Sequence, residues 1–588
     1  MKTVVGQKNL RVGFAVLAVI LLGVLPFTLQ SQEPVERHTG VPIDWSTRHI
    51  IATNQLSPRM ADMAMQDPRV WIHWMQHTVL TPPDGEIPEF PISLNKKKHI
   101  RVDWAMPLGA NGGMPIGESP AKYSFNTSGY SCANDFVVYT INATPGASQA
   151  NILAFNNLYT GTASSSCPFG PQTPPTSDYK QPTFMWSYEA GTSASYLSPT
   201  LSLDGTKVAF VEAATHPTFD VLTWVSGQGT DATHPVVPGT GGSALVRLDY
   251  TNTTVTGCTA NPATANSNSS PYIDYGNDVA YIGADNGELY RISGIFHGTP
   301  TVQYCITVKA NGVLTSPVYD QVSNQVFISD GYSVYSFTPG ASSFTASGSI
   351  SVSSTSGTDP IVLSPVVDTT NGFVYVFGGT DSTNKFSIVS QMNLALTSQS
   401  VAHIGPTNTL FVLDGDFDNA YFTSGPKSGA GTLYACGTQA NNAAKPSLYA
   451  LSFQSPTGVM NTTPAMSDNR NINGASNPNG TCSPLLDFDD GTTDRLFVGT
   501  GSYNGTTGAN LVTEWNVNTR IPSNTTTPNS TATNEWGGTS AFTIDNVSTA
   551  PQTTSIYFGT LRPTPVGQTL PCTVGNYCAV KLTQSGLQ

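Results

Sequence analysis

The chain has 588 residues, of which 39% are hydrophobic and only 11% charged, and its formal net charge is −13. The apolar share is enough for a substantial core, but the charged share is far below the roughly 25% usual in globular proteins. With no basic face to displace counterions, the composition argues against a nucleic-acid partner. The one dense basic run, Lys96-Lys97-Lys98-His99, is short enough to be a solvated loop.

The N-terminus carries Lys2, Lys8 and Arg11, then an uncharged apolar stretch from Val12 to Leu29 that Ser31-Gln32-Glu33-Pro34 ends. This is the anatomy of a secretory signal. The stretch is also at the lower edge of what spans a bilayer, so residues 1–30 are expected to be a cleaved signal peptide or a retained anchor through residues 12–29. Either implies export to the periplasm or the cell exterior. Residues 31–99 are expected to be extended, with two short helices at about 58–66 and 68–78. Ser57-Pro58 and Asp67-Pro68 each read as an N-cap with proline at the first helical position. In the second helix Val70, Trp71, Trp74 and Met75 share a face that would dock on the rest of the protein. His73 and His77 at i and i+4 lack the acidic neighbour and third ligand of a zinc site. Met60, Met63, Met65 and Met75 read as packing, not copper ligands.

From residue 100 onward the sequence repeats. Ser-Pro opens SPTLSLDGTKVAFVEA at Ser198, SPYIDYGNDVAYIGADNGELYRI at Ser270, SPVYDQVSNQVFISDGYSVYSF at Ser316, SPVVDTTNGFVYVFGG at Ser364 and SPLLDFDDGTTDRLFVGTG at Ser483. Copies without Ser-Pro begin at Leu410 and Ala541, and a copy at Ser119 lacks the acid. Where Ser-Pro is present, proline starts a short strand where no ladder donor is needed. An aspartate then closes a turn onto its own backbone: Asp204, Asp274, Asp320, Asp368, Asp414, Asp487 or Asp545. A β-branched and aromatic strand follows, and then a third and a fourth. Four-stranded antiparallel units repeated around an axis make a β-propeller. The expected fold is therefore all-β, a single propeller of about eight blades, with seven as the alternative. Cys578–Leu582 is expected to be the last blade's third strand, and the residues after Leu582 are too few for its outer strand. Residues 100–106, which resemble Thr183–Tyr188 before the next copy, are expected to supply it and close a ring of residues 100–588. Longer intervals hold polar insertions at 226–243, 437–446 and 466–481.

Eight cysteines in an exported chain suggest disulfides. Pairing neighbours gives Cys132–Cys167, Cys258–Cys305, Cys436–Cys482 and Cys572–Cys578 as the simplest set, but spacing alone leaves the connectivity open. The SPTLSLDGTKVAFVEA run resembles the WD40-like repeat of bacterial periplasmic propellers. DNGELYRI and SLYALSF are similar to the strand of pyrroloquinoline-quinone-type repeats. The resemblance implies a quinoprotein-like bacterial propeller. The adjacent Cys-Cys pair and Trp-docking repeat of that family's enzymes do not occur in this sequence, so no quinone or other cofactor is expected.

Candidate chemistry is thin. Asp487, Asp489, Asp490, Gly491 and Asp494 approach a calcium loop, one residue short in spacing, with Asp414, Asp416 and Asp418 a weaker case. Asp487 already has a turn role, and no metal is assigned. Glu514-Trp515 and Glu535-Trp536 join a carboxylate to a flat ring and could serve glycosidic chemistry if they converged. There is no nucleophile elbow and no nucleotide-binding glycine motif. His216, His234, His297 and His403 stand alone, and the frequent sequons, Asn142, Asn252 and Asn504 among them, are what chance gives in a chain this rich in Asn and Thr. No catalytic residue is assigned. The expectation is a non-catalytic exported binding or scaffold protein for a polysaccharide or protein partner at the cell surface. The alternative is a propeller-type glycan lyase or hydrolase, and an envelope structural element would suit a retained anchor.

Overall fold

The computed structural model describes residues 40–54, 57, 67–70, 72, 100–125, 130–159, 167, 181–260, 262–263, 265–354, 360–407, 412–439, 442–464, 466–467, 481–489, 493–501, 511–519, 530–533, 535–545, 554–568 and 571–584. Eight sheets are arranged as the blades of a propeller. The first strands of the repeat, which face the axis, are Ala121–Ser124, Thr200–Leu201, Tyr272–Asp274, Val318–Asp320, Val366–Asp368, Asp416–Phe417, Leu486–Asp489 and Thr543–Asp545, in blades 1 to 8, and are called the inner strands. Each pairs antiparallel with the next strand in sequence, and the chain steps outward to the rim before entering the next blade.

The repeat works as its residues demand. Asp320 accepts from the N–H groups of Val322 and Ser323, and Asp368 from those of Thr370 and Asn371, so the acid caps the turn between the first two strands. The second strands, such as Val279–Gly283 and Phe373–Thr380, are buried almost throughout because both faces meet neighbouring blades. Their unbroken β-branched and aromatic content fits that double burial.

The ring closes through its ends. Ile100–Gly109 pairs antiparallel with Tyr577–Gln584 and forms the outer strand of blade 8. A bulge between Val102 and Trp104 lets Trp104 turn into the seam between blades 8 and 1. There it packs on Phe155 and Tyr557 and donates from Nε1 to the Leu158 carbonyl at 3.0 Å.

Three readings change. The blade 6 repeat is displaced by four residues: its inner strand is Asp416–Phe417, so Asp418 holds the turn position and Asp414 the position of the serine. Asp418 caps a short helix, Asn419–Ser424, that replaces the usual turn. The supposed insertion at 437–446 is mostly hairpin, since Leu433–Gln439 and Asn442–Leu451 pair across it. Residues 41–51, placed outside the ring by the sequence, belong to its sheets: Val41–Ile43 pairs with Ala121–Ser124, and Ile50–Ile51 pairs in parallel with Val366–Asp368.

All eight cysteines are bonded, as Cys132–Cys167, Cys258–Cys305, Cys436–Cys482 and Cys572–Cys578. Four disulfides suit an oxidising, exported environment. Among the described residues no helix is long and apolar enough to cross a membrane.

Candidate functional site at the propeller axis

Eight inner strands converge on the axis, and only small groups fit side by side where they begin. Serine does more than fit. The Ser119 N–H donates to Ser198 Oγ at 2.9 Å, the Ser198 N–H to Ser270 Oγ at 3.0 Å, and the Ser270 N–H to Ser316 Oγ at 2.7 Å. Each hydroxyl thus satisfies the backbone donor of the preceding blade, which has no strand partner at this point. The sequence had suggested only a role for the proline; the serine's role depends on a neighbour some 46 to 79 residues away.

Two acids break the neutrality of this ring. Glu118 turns its carboxylate inward and accepts from the Ser198 N–H at 2.7 Å, Ser198 Oγ at 2.6 Å and Ser270 Oγ at 2.9 Å. Burial pushes its pKa up, the serine hydrogen bonds oppose this, and Asp414 adds to the rise. Asp414 is the second acid, and it meets His49.

His49 arrives on a strap that no local motif announces. From the strand registers, Val41–Ile43 runs antiparallel to the inner strand of blade 1. The chain crosses the axis in a 3-10 turn, Trp45–Arg48, and Ile50–Ile51 runs parallel to the inner strand of blade 5. Blades 1 and 5 are opposite in a ring of eight, so the strap spans the channel. Asp44 and Thr47 form a reciprocal capping box at its crossing. Trp45 Nε1 donates to the Pro271 carbonyl at 3.2 Å, Arg48 to the Leu485 carbonyl, and His49 Nε2 lies 2.9 Å from Asp414 Oδ2. Arg69, from the helix start after Asp67, adds a further key: its guanidinium sits 3.9 Å from the Tyr272 ring centroid and donates to Ser46 Oγ at 2.9 Å and to the Ile273 carbonyl. Between Trp45, Arg48, His49, Glu118, Asp414 and the serines, the space left has room for roughly one or two waters.

The other candidates do not join this site. Asp487 and Asp489 lie on one strand and Asp494 on its partner, with Asp489 opposite Asp494. Asp490 and Gly491 lie outside the described residues. Burial raises both Asp487 and Asp494, Asp494 to about 7 and Asp487 well above the usual range, with the neighbouring Asp494 carboxyl adding to the rise at Asp487. Burial also lifts Asp416 to about 6. The described residues contain no group of three or more His, Cys, Asp or Glu arranged to hold a metal. Glu514 is buried against Arg495, and Trp515 is core between blades 6 and 7, so neither offers a face to a sugar. Glu535 is buried as well, makes no side-chain hydrogen bond among the described residues, and is raised to about 8 by burial.

The histidines are scattered. His234 pairs with Asp231 and His297 with Asp278 in exposed turns, His403 stacks on Phe386 in blade 5, and His216 sits in the turn between the second and third strands of blade 2. Asn142 and Asn252 are exposed. Asn504, His73, His77, Met60, Met63, Met65, Met75, the apolar stretch 12–29 and the basic run at Lys96 lie outside the described residues. So do most of the two expected helices, though Val70 is buried against Trp45 and the inner strands, the docking side proposed for it.

No protein-family profile and no curated protein matches this chain. Among solved structures it is similar to BamB from Moraxella catarrhalis, with a TM-score of 0.37 and 10% identity over 82% of this chain and 97% of that one. It is also similar to a putative 6-phosphogluconolactonase from Bacteroides uniformis, with a TM-score of 0.34 and 10% identity over 62% and 95%. Raptor from Chaetomium thermophilum gives a TM-score of 0.30 and 10% identity over 64% and 26%. At these scores the likeness carries no argument about activity or partner; the propeller is established by the chain's own strand pairing.

Proposed function

We propose that this chain is an exported, non-catalytic propeller that binds a polysaccharide or protein at the cell surface through its outer faces. The observation that carries this reading is the filled axis. A small-molecule site takes some 300–1,000 Å³, and among the described residues the space between the strap and the serine ring has room for about a water or two. The acids and histidine at the axis are engaged with the strap and the serine ring. The wall offers a different surface. The outer strands of blades 3 and 4, Thr301–Thr307 and Phe344–Ser351, carry no charged residue and expose Thr, Gln and Ser side chains along one face. Such a surface suits hydroxyl-rich or neutral partners. Export rests on the signal-like N-terminus together with the four disulfides, with residues 1–30 removed or kept as an anchor.

The test is to incubate the purified exported protein with a panel of neutral and acidic polysaccharides. Retention without new reducing ends or unsaturated products is expected. Turnover of any glycan would overturn the non-catalytic reading in favour of a lyase or hydrolase.

A further inference from the structure

The seam between blades 8 and 1 buries an unusual set of groups. Lys122, on the inner strand of blade 1, and Asp545, at the end of the inner strand of blade 8, are both wholly buried, with Nζ 2.8 Å from Oδ1. The Lys122 amine also donates to Tyr159 OH at 3.2 Å, and Tyr159 OH donates to Asp135 Oδ2 at 2.7 Å. On the far side Tyr557 OH donates to Asp545 Oδ2 at 3.3 Å. A second pair, Lys581 and Asp103 at 3.3 Å, lies in the same seam, with Lys581 held by the Leu158 carbonyl at 3.0 Å. Trp104, Tyr139 and Tyr557 seal the seam from water.

We propose that Lys122 and Asp545 are joined by an isopeptide bond formed autocatalytically after folding. The seam holds an amine, a carboxyl and a proton relay in contact, in a place closed to water. Burying an ammonium and a carboxylate costs several kcal/mol per ion, so moving the proton from Lys122 to Asp545 gives the amine and acid that a dry site favours. Burial holds the Asp545 carboxyl above its ordinary range, against the pull of Lys122 and Lys581. The Nζ lone pair adds to Asp545 Cγ. The N–C bond forms and the carbonyl electrons move onto oxygen, where Tyr557 donates. Nζ sheds a proton through Tyr159 to Asp135. When the tetrahedral carbon collapses, the C–OH bond breaks and that proton returns to the departing hydroxyl. The products are one amide and one water, and no electrons are exchanged. Fixed contact in place of diffusion is worth an effective concentration of up to about 10⁵–10⁸ M, and exclusion of water protects the product. The bond would fasten the first blade to the last at the axis, where the Ile100–Gly109 strand fastens them at the rim.

Peptide mapping of the denatured, reduced wild-type protein decides it. The expected product is one branched species containing the peptides around Lys122 and Asp545, lighter by one water than their sum. Lys122→Arg, which keeps the positive charge, must lack it, and Asp135→Asn must accumulate the two peptides unjoined while retaining wild-type circular dichroism and all four disulfides. Recovery of the Lys122 and Asp545 peptides wholly unjoined from the wild type overturns the proposal, as does joining at full yield in Asp135→Asn.

Discussion

His49 Nε2 stands 2.9 Å from Asp414 Oδ2, and Asp414 occupies the position just before the inner strand that five other blades give to a serine lining the same space. The exception in the ring and the ionisable group on the strap therefore meet each other, which ties a departure from the repeat to the segment that closes the axis.

If this contact holds the strap, Asp414→Ser should restore the repeat yet destabilise the protein by about 1–3 kcal/mol, the cost of leaving a buried polar partner unsatisfied. Urea denaturation of Asp414→Ser, His49→Gln and the double variant should show less than additive losses. Trypsin cleavage after Arg48 should quicken in each, because release of the strap exposes that bond.

Glu535 gives a pH prediction of definite sign. Its folded pKa, about 8, is above the ordinary carboxylate value of 4.5, with burial as the cause. The folded state therefore holds a proton that the unfolded state has lost between those values. The associated stability is fully present below pH 4.5 and is lost as pH rises to 8, at about 1.4 kcal/mol per pH unit. Glu535→Gln removes the titration, so its stability advantage over wild type should grow with pH across that window and level off above it. Thermal melts at pH 5, 7 and 9 measure this; a constant difference would refute it.

Trp104 couples the outer strand of blade 8 to blade 1 and is 2% exposed. Trp104→Ala should cost about 3–5 kcal/mol, as removal of a buried aromatic does. It should also raise hydrogen exchange first in 577–584, whose ladder partner it anchors. Chemical denaturation and exchange mass spectrometry check both.

The Cys436–Cys482 bond joins blade 6 to the entry of blade 7 across a separation of 46 residues. Chain entropy assigns a loop of that length about 4 kcal/mol. Replacing both cysteines with serine should lower the urea midpoint accordingly, whereas the same change at Cys572–Cys578, separated by 6 residues, should lower it less.

Much of the ring was legible in the sequence because its causes are local. Ser-Pro followed by an aspartate four residues on, then a β-branched run, specifies strand, turn and strand within one stretch of chain, and the likeness of residues 100–106 to 183–188 disclosed the closure. Those same signals failed at blade 6, where DGDFDN offers three aspartates and only pairing with Leu433 and Tyr434 selects Asp418 for the turn. The site itself was almost invisible. Glu118 and His49 match no motif, and the parallel pairing of Ile50 with Val367 joins residues more than 300 apart with no local signature.

By itself, then, the sequence determined a chain of repeated four-stranded units, since hydrophobic period, proline and turn aspartates act over a few residues. Tertiary structure alone decided what fills the axis and which buried charges meet, at Asp414 and His49 and at Lys122 and Asp545. Those pairings arise when a ring closes and brings distant residues into a space too dry to leave them apart.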